Sequence, residues 1–104
     1  MRVLNFKLKG QSLQKVGDFS GIMAGSKGYL KCRFRADDTD WSMAKKVAIF
    51  CDDLYAAVDA NGECMVPDNA TEGKSFKVQM AGEVQGPGGT VRMLTNPVLV
   101  EQVK

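Results

Sequence analysis

At 104 residues, 44% hydrophobic and 25% charged, the chain has the make-up of one ordinary globular domain, 1–104, with room for one modest core. Its 14 basic and 12 acidic residues leave a net charge of +2 with the signs interspersed along the sequence, so neither a nucleic-acid nor a membrane partner is expected. The absence of histidine removes the commonest general base and a common zinc ligand, and no apolar run approaches the ~20 residues that span a bilayer.

The N-terminus, MRVLNFKLKG, lacks the apolar centre of a secretory signal, so the chain is expected to begin near Met1 and to fold in the cytoplasm. Val3 to Leu8 alternates, with Leu4, Phe6 and Leu8 on one face, the period of a half-buried strand. A short β-type stretch, Leu13 to Val16, precedes a glycine- and serine-rich loop from Gly17 to Gly28 that has room for a minor strand at Phe19–Met23. In Tyr29 to Arg35, Leu30, Cys32 and Phe34 share one face and Lys31, Arg33 and Arg35 the other. After the polar break ADDTDW, Lys46 to Cys51 sets Val47, Ile49 and Cys51 against Ala48 and Phe50.

Leu54–Val58 and Glu63–Val66 flank Asn61-Gly62, a signal for a type I′ hairpin turn. Phe76, Val78 and Met80 mark the next strand, QGPGG at 85–89 reads as a loop, and Val91–Leu94 and Val98–Val103 close the chain. Thr39 to Lys45 has room for one helical turn, and no longer helical stripe exists. About seven to nine short strands with frequent turn signals predict an all-β fold, an antiparallel β-sandwich of immunoglobulin-like type. The expected core is Phe6, Leu30, Cys32, Phe34, Val47, Ile49, Cys64, Val66, Phe76, Val78 and Val100.

Cys32, Cys51 and Cys64 are odd in number and widely spaced, which is neither a disulfide framework nor a metal ribbon, so free thiols in strands are expected. Grouped carboxylates (Asp37, Asp38 and Asp40; Asp52 and Asp53; Asp59 with Glu63) have the chemistry of a calcium site or of a two-carboxylate hydrolase. However, a turn explains Asp59 to Glu63 equally well, and a short sandwich lacks the long loops of a substrate cleft. Serine nucleophiles have no histidine partner, and QGPGG lacks the ending of a phosphate loop. No catalytic, cofactor-binding or metal-ligating residue is therefore assigned. Trp41, the single tryptophan, reads as a plug at one end of the core rather than a sugar-stacking platform.

Y-L-x-C-R-F-x-A-D-D-x-D-W, A-K-K-V-A-I-F, L-Y-A-A-V-D-A-N-G-E-C-M-V-P, F-K-V-Q-M-A-G and R-M-L-T-N-P-V-L-V follow one another from Tyr29 onward. This order resembles the N-terminal domain of upper baseplate (receptor-binding-protein adaptor) proteins of tailed phages and prophages of Gram-positive bacteria. Trp41, Phe50, Cys64, Val66, Pro67, Phe76, Val78, Gly82, Thr95, Asn96 and Val98 match its pattern, and N-F-K-L-K-G-Q-S-L suits its first hairpin. The resemblance implies a non-enzymatic structural protein of the virion, synthesised in the host cytoplasm, acting as an attachment module of the tail or baseplate. A capsid or neck decoration protein and a carbohydrate-binding module for host glycan are the alternatives.

Family members continue into a trimerising helical or fibre region, whereas this sequence stops at Lys104 without heptads. Multiplicity is therefore expected to come from the particle, with other phage structural proteins as partners and many copies arrayed. The glycine-rich loops are the expected contact regions, in particular Gly86, Pro87, Gly88 and Gly89, together with Gly25 and Ser26.

Overall fold

In the first strand, β1 (Arg2–Lys9), Leu4, Phe6 and Leu8 are buried while Asn5, Lys7 and Lys9 face water, as the alternation requires. The computed structural model describes residues 1–104 and arranges nine strands in two facing sheets. β2 (Ser12–Val16) returns antiparallel to β1 through the two-residue turn Gly10-Gln11, where Gly10 takes the positive φ of 56° that such a turn needs at its first position. β3 (Leu30–Ala36) lies on the other side of β1, and β6 (Glu63–Met65) forms the edge, giving the order β2-β1-β3-β6. The β1–β3 pair is parallel, with Leu4 opposite Cys32 and Phe6 opposite Phe34, a departure from the all-antiparallel expectation. The chain between them, 17–29, has no strand at Phe19–Met23. It packs Ile22 into the core and sets Phe19 edge-on to Phe6, 5.3 Å between centroids.

The second sheet contains β4 (Lys45–Phe50), β5 (Leu54–Ala57), β7 (Ser75–Gly86) and β8 (Gly89–Leu94) in the order β5-β4-β7-β8, with β9 (Val98–Glu101) also paired to β7. The sandwich is thus established, and its strand order differs from the four-plus-three order of an immunoglobulin constant domain. No helix is long and apolar enough to cross a membrane.

Pairing with β7 corrects the reading of β4. Ala48 stands opposite Met80 and Phe50 opposite Val78, so Ala48 and Phe50 face the core between the sheets. Ile49 is buried as expected (7% exposed) but on the outer side, together with the half-buried Val47. Cys51 is not in a strand. It and Asp52 adopt positive φ (54° and 70°) in the turn closed by Asp53 N–H donating to Phe50 O (3.3 Å). Asn61-Gly62 is not a hairpin turn either, because β5 and β6 belong to different sheets. Here Gly62 alone has positive φ, its N–H donates to Asp59 O, and the Asp59 carboxylate accepts the amides of Asn61 and Glu63.

Trp41, in the short helix α1 (Thr39–Ser42), is fully buried between the sheets. Its indole Nε1–H donates to Gly10 O (2.7 Å), and the Gly10 N–H donates to Asp38 Oδ2 (2.7 Å), so the segment 38–41 holds both backbone polar groups of Gly10 in the β1–β2 turn. On the other sheet the ring rests against Gly82. Nearby, Asn96 imitates a strand partner for Leu13, accepting from its N–H (2.9 Å) and donating to its C=O (3.1 Å).

Two stability predictions follow from this packing. A Cβ at Gly82 would sit 2.7 Å from Trp41 Cζ3 and 3.2 Å from Met93 Cε, so Gly82→Ala is expected to cost ~1–3 kcal/mol. Gly88→Ala meets nothing within 4 Å and serves as the unaffected comparison in denaturant melts. Phe76→Ala, which removes a ring 1% exposed, is expected to cost ~3–5 kcal/mol by the same measurement, and an unchanged midpoint would show that this ring is not core.

Candidate functional site

β7 continues past the body of the sandwich. Its last pairing with β4 is Glu83 with Lys45, whereas its pairing with β8 runs on to Gly86 with Gly89. Residues 84–91 therefore form a two-stranded arm whose turn is only Pro87-Gly88. The expected loop at 85–89 is mostly strand, since Gln85 and Gly86 end β7 and Gly89 begins β8. Pro87 escapes the usual exclusion from strands because it sits in the turn, where no ladder amide is needed.

Along β7 the inner face reads Phe76, Val78, Met80, Gly82 and Val84, and Val84 is opposite Val91. The apolar stripe of the core thus runs out onto the arm, where Val84 is half-buried and Val91 is 56% exposed. Met43, 80% exposed, lies at the same end, two residues before the Lys45–Glu83 pair. Both edges of the arm are open: β8 is terminal in its sheet, and β4 has ended.

Gly86, Pro87, Gly88 and Gly89 thus stand at the tip of this arm. Gly25 and Ser26 lie elsewhere. The Gly25 N–H donates to Thr71 O (2.7 Å), and Thr71 Oγ1–H donates to Ser26 O (2.7 Å) beside the 3-10 turn Asp68–Thr71 that precedes β7. Twelve residues of β7 separate that turn from the tip, ~3.3 Å each, in a molecule 48 Å long. The two groups occupy opposite ends and form no common site. Val84, Val91 and Met43 were missed in the sequence. Val84 continues the period-2 pattern of β7, but the glycines after it masked the continuation.

Four of the grouped carboxylates, those of Asp38, Asp52, Asp59 and Glu63, have partners of their own. Asp38 binds the amides of Gly10 and Trp41, Asp59 caps its own turn, and no three acidic or thiol side chains converge. Trp41 plugs the core, and of the exposed tyrosines Tyr29 lies just before β3 of the first sheet and Tyr55 in β5 of the second, so they share no strand or sheet face as a stacking platform. The clefts are shallow surface features. One of about 400 Å³ is bordered by Asn5, Lys7, Val16, Arg33, Arg35 and Asp37 on the outer face of the first sheet.

That face carries the charge that the overall balance conceals. Lys7 is in register with Arg35 and Asn5 with Arg33, and Lys9 and Lys31 point the same way. Glu63 answers part of it, accepting from Arg33 Nε (2.7 Å) and pairing with Arg33 (2.7 Å) and Lys31 (3.5 Å). No family model, curated protein or solved structure matches the chain.

The Arg33 hydrogen bond holds the Glu63 carboxyl below its ordinary value of 4.5, with desolvation opposing and the charges of Lys31 and Arg33 assisting. A depressed carboxylate contributes stability that is complete above the unfolded value and fades as pH falls through the folded one. The gap in denaturation midpoint between wild type and Glu63→Gln is therefore expected to stay constant from neutral pH down to about 4.5 and to close below it. A gap that persists unchanged in strong acid would show that the carboxylate is not the source.

Proposed function

We propose that the chain is a non-enzymatic attachment module of a phage particle, seated on another structural protein of the tail or baseplate. The observation that carries the reading is the β7–β8 arm, where the apolar inner stripe outruns β4 and both strand edges are open. Such an arm suits docking on a neighbour's sheet, with backbone hydrogen bonds at an edge and Val84 and Val91 seated in apolar pockets. The glycine-rich tip lets the partner's backbone approach closely. Each copy contributes a small contact, and the symmetry of the particle makes the sum strong. The virion setting is supported by the resemblance carried by Trp41, Phe50, Gly82, Thr95 and Asn96.

A capsid or neck decoration protein would use the same arm. The carbohydrate-binding reading has less support, because the one tryptophan is buried and the two exposed tyrosines lie on different segments, Tyr29 before β3 and Tyr55 in β5.

The double variant Val84→Glu/Val91→Lys tests the arm, since a cross-strand ion pair keeps the hairpin while removing its apolar face. Its thermal midpoint is expected to match wild type while its copy number in purified phage particles falls at least tenfold. Full occupancy of particles by this variant would eliminate the arm as the attachment site. Tight binding of the wild-type protein to host glycans, with none in particles, would transfer the function to the carbohydrate reading.

A further inference from the structure

Cys32 of β3 and Cys64 of β6 are direct partners in the antiparallel register, with Lys31 opposite Met65 and Arg33 opposite Glu63 on either side. The Phe34 N–H donates to Gly62 O (2.7 Å) and the Val66 N–H donates to Leu30 O (3.0 Å), each two residues from the cysteine pair. By alternation, Cys32 and Cys64 occupy a hydrogen-bonded position, whose Cα atoms lie ~5.5 Å apart, inside the usual range for a disulfide. Both side chains face the same side of the sheet and belong to the core, at 0% and 8% exposure. Both are free thiols in this structure.

We propose that Cys32 and Cys64 form a reversible cross-strand disulfide by exchange with a low-molecular-weight disulfide. The inference stands apart from the attachment reading, since it rests on the other sheet and on different residues. Cys64 is the attacking group. It lies on the three-residue edge strand, whose far side is unpaired, so local fraying of β6 brings its sulfur to solvent while Cys32 stays enclosed. Interaction with the facing Cys32 thiol lowers the Cys64 thiol, with burial and Asp59 opposing, while interaction with Cys64 and then burial raise Cys32.

The Cys64 thiolate attacks one sulfur of the small disulfide, forming a mixed disulfide and releasing one small thiolate. Cys32 then gives up its proton and attacks the Cys64 sulfur, which displaces the second small thiolate. The protein loses two electrons and two protons, and one small disulfide becomes two small thiols. Directly opposed Cβ atoms stand ~4.5–5.5 Å apart and a disulfide wants ~3.5–4.5 Å, so β6 must move inward as the bond closes. That strain makes the bond easy to reduce. Cys51 takes no part, because it lies in the β4–β5 turn of the other sheet.

The test is to incubate the folded wild-type chain and Cys51→Ser with oxidised glutathione and to record intact mass and a peptide map without reductant. Both proteins are expected to lose two hydrogens, to show a Cys32–Cys64 linked peptide, and to regain the original mass in dithiothreitol. Their thermal midpoints are expected to rise on oxidation, because the edge strand is then tied to β3. An unchanged mass, a glutathione adduct on Cys64 that never resolves, or a bond that includes Cys51 would each overturn the proposal. Since Cys51→Ser leaves the core pair intact, the result does not depend on how Cys32 or Cys64 variants fold.

Discussion

An indole ring wedged between two sheets sets the geometry of this molecule. Trp41 reaches the first sheet by donating to Gly10 O and the second by packing so close to Gly82 that a side chain there would collide with the ring. Each partner is specific in its chemistry: a turn that offers a free carbonyl, and a strand position without a Cβ. Asp38 completes the arrangement, because the same carboxylate caps the helix that carries Trp41 and accepts the Gly10 N–H. A buried indole N–H without a partner would cost several times what a typical hydrogen bond contributes, so position 10 and position 41 depend on each other. The arm begins at Val84, four residues beyond Met80 and two beyond Gly82, the strand position that Trp41 covers.

Much of this architecture was legible because strand alternation reports burial directly. Phe6, Leu30, Cys32, Phe34, Cys64, Val66, Phe76, Val78 and Val100 are buried as their spacing implied, and Trp41 plugs the core as expected. Alternation fails in β4, whose two faces are both apolar. Nothing local distinguishes Ala48 and Phe50 from Val47 and Ile49, and the choice is made by pairing with β7, far along the chain. The turn at Asp59–Gly62 shows a second limit. Asn-Gly chemistry reports a reversal of the chain, but not whether the strands on either side join one sheet or two.

The candidate site was half legible. Glycines at 86, 88 and 89 point to an unusual connection, yet their meaning changes once Gln85 and Gly86 are seen to extend β7. Charge shows the same distinction between sequence and space. Lys7 and Lys9 stand more than twenty residues from Lys31, Arg33 and Arg35 along the chain, and the parallel β1–β3 pair gathers them on one face. Like charges opposite one another destabilise a sheet, and Glu63 relieves only the Arg33 and Lys31 side of the cluster. Lys7 and Arg35 remain without an ion-pair partner.

The path of the chain between the layers has a kinetic consequence. After β3 the backbone passes to the second sheet for β4 and β5, returns to the first for β6, and crosses again for β7. Neither layer can be completed from one continuous stretch, and β1 meets β3 only after the whole 17–29 segment is closed. Before any of these pairings yields burial, the chain must lose the entropy of bringing distant segments together. Folding from a disordered chain therefore belongs to the slow class of β-topologies, milliseconds to seconds, with the two sheets appearing together rather than in succession.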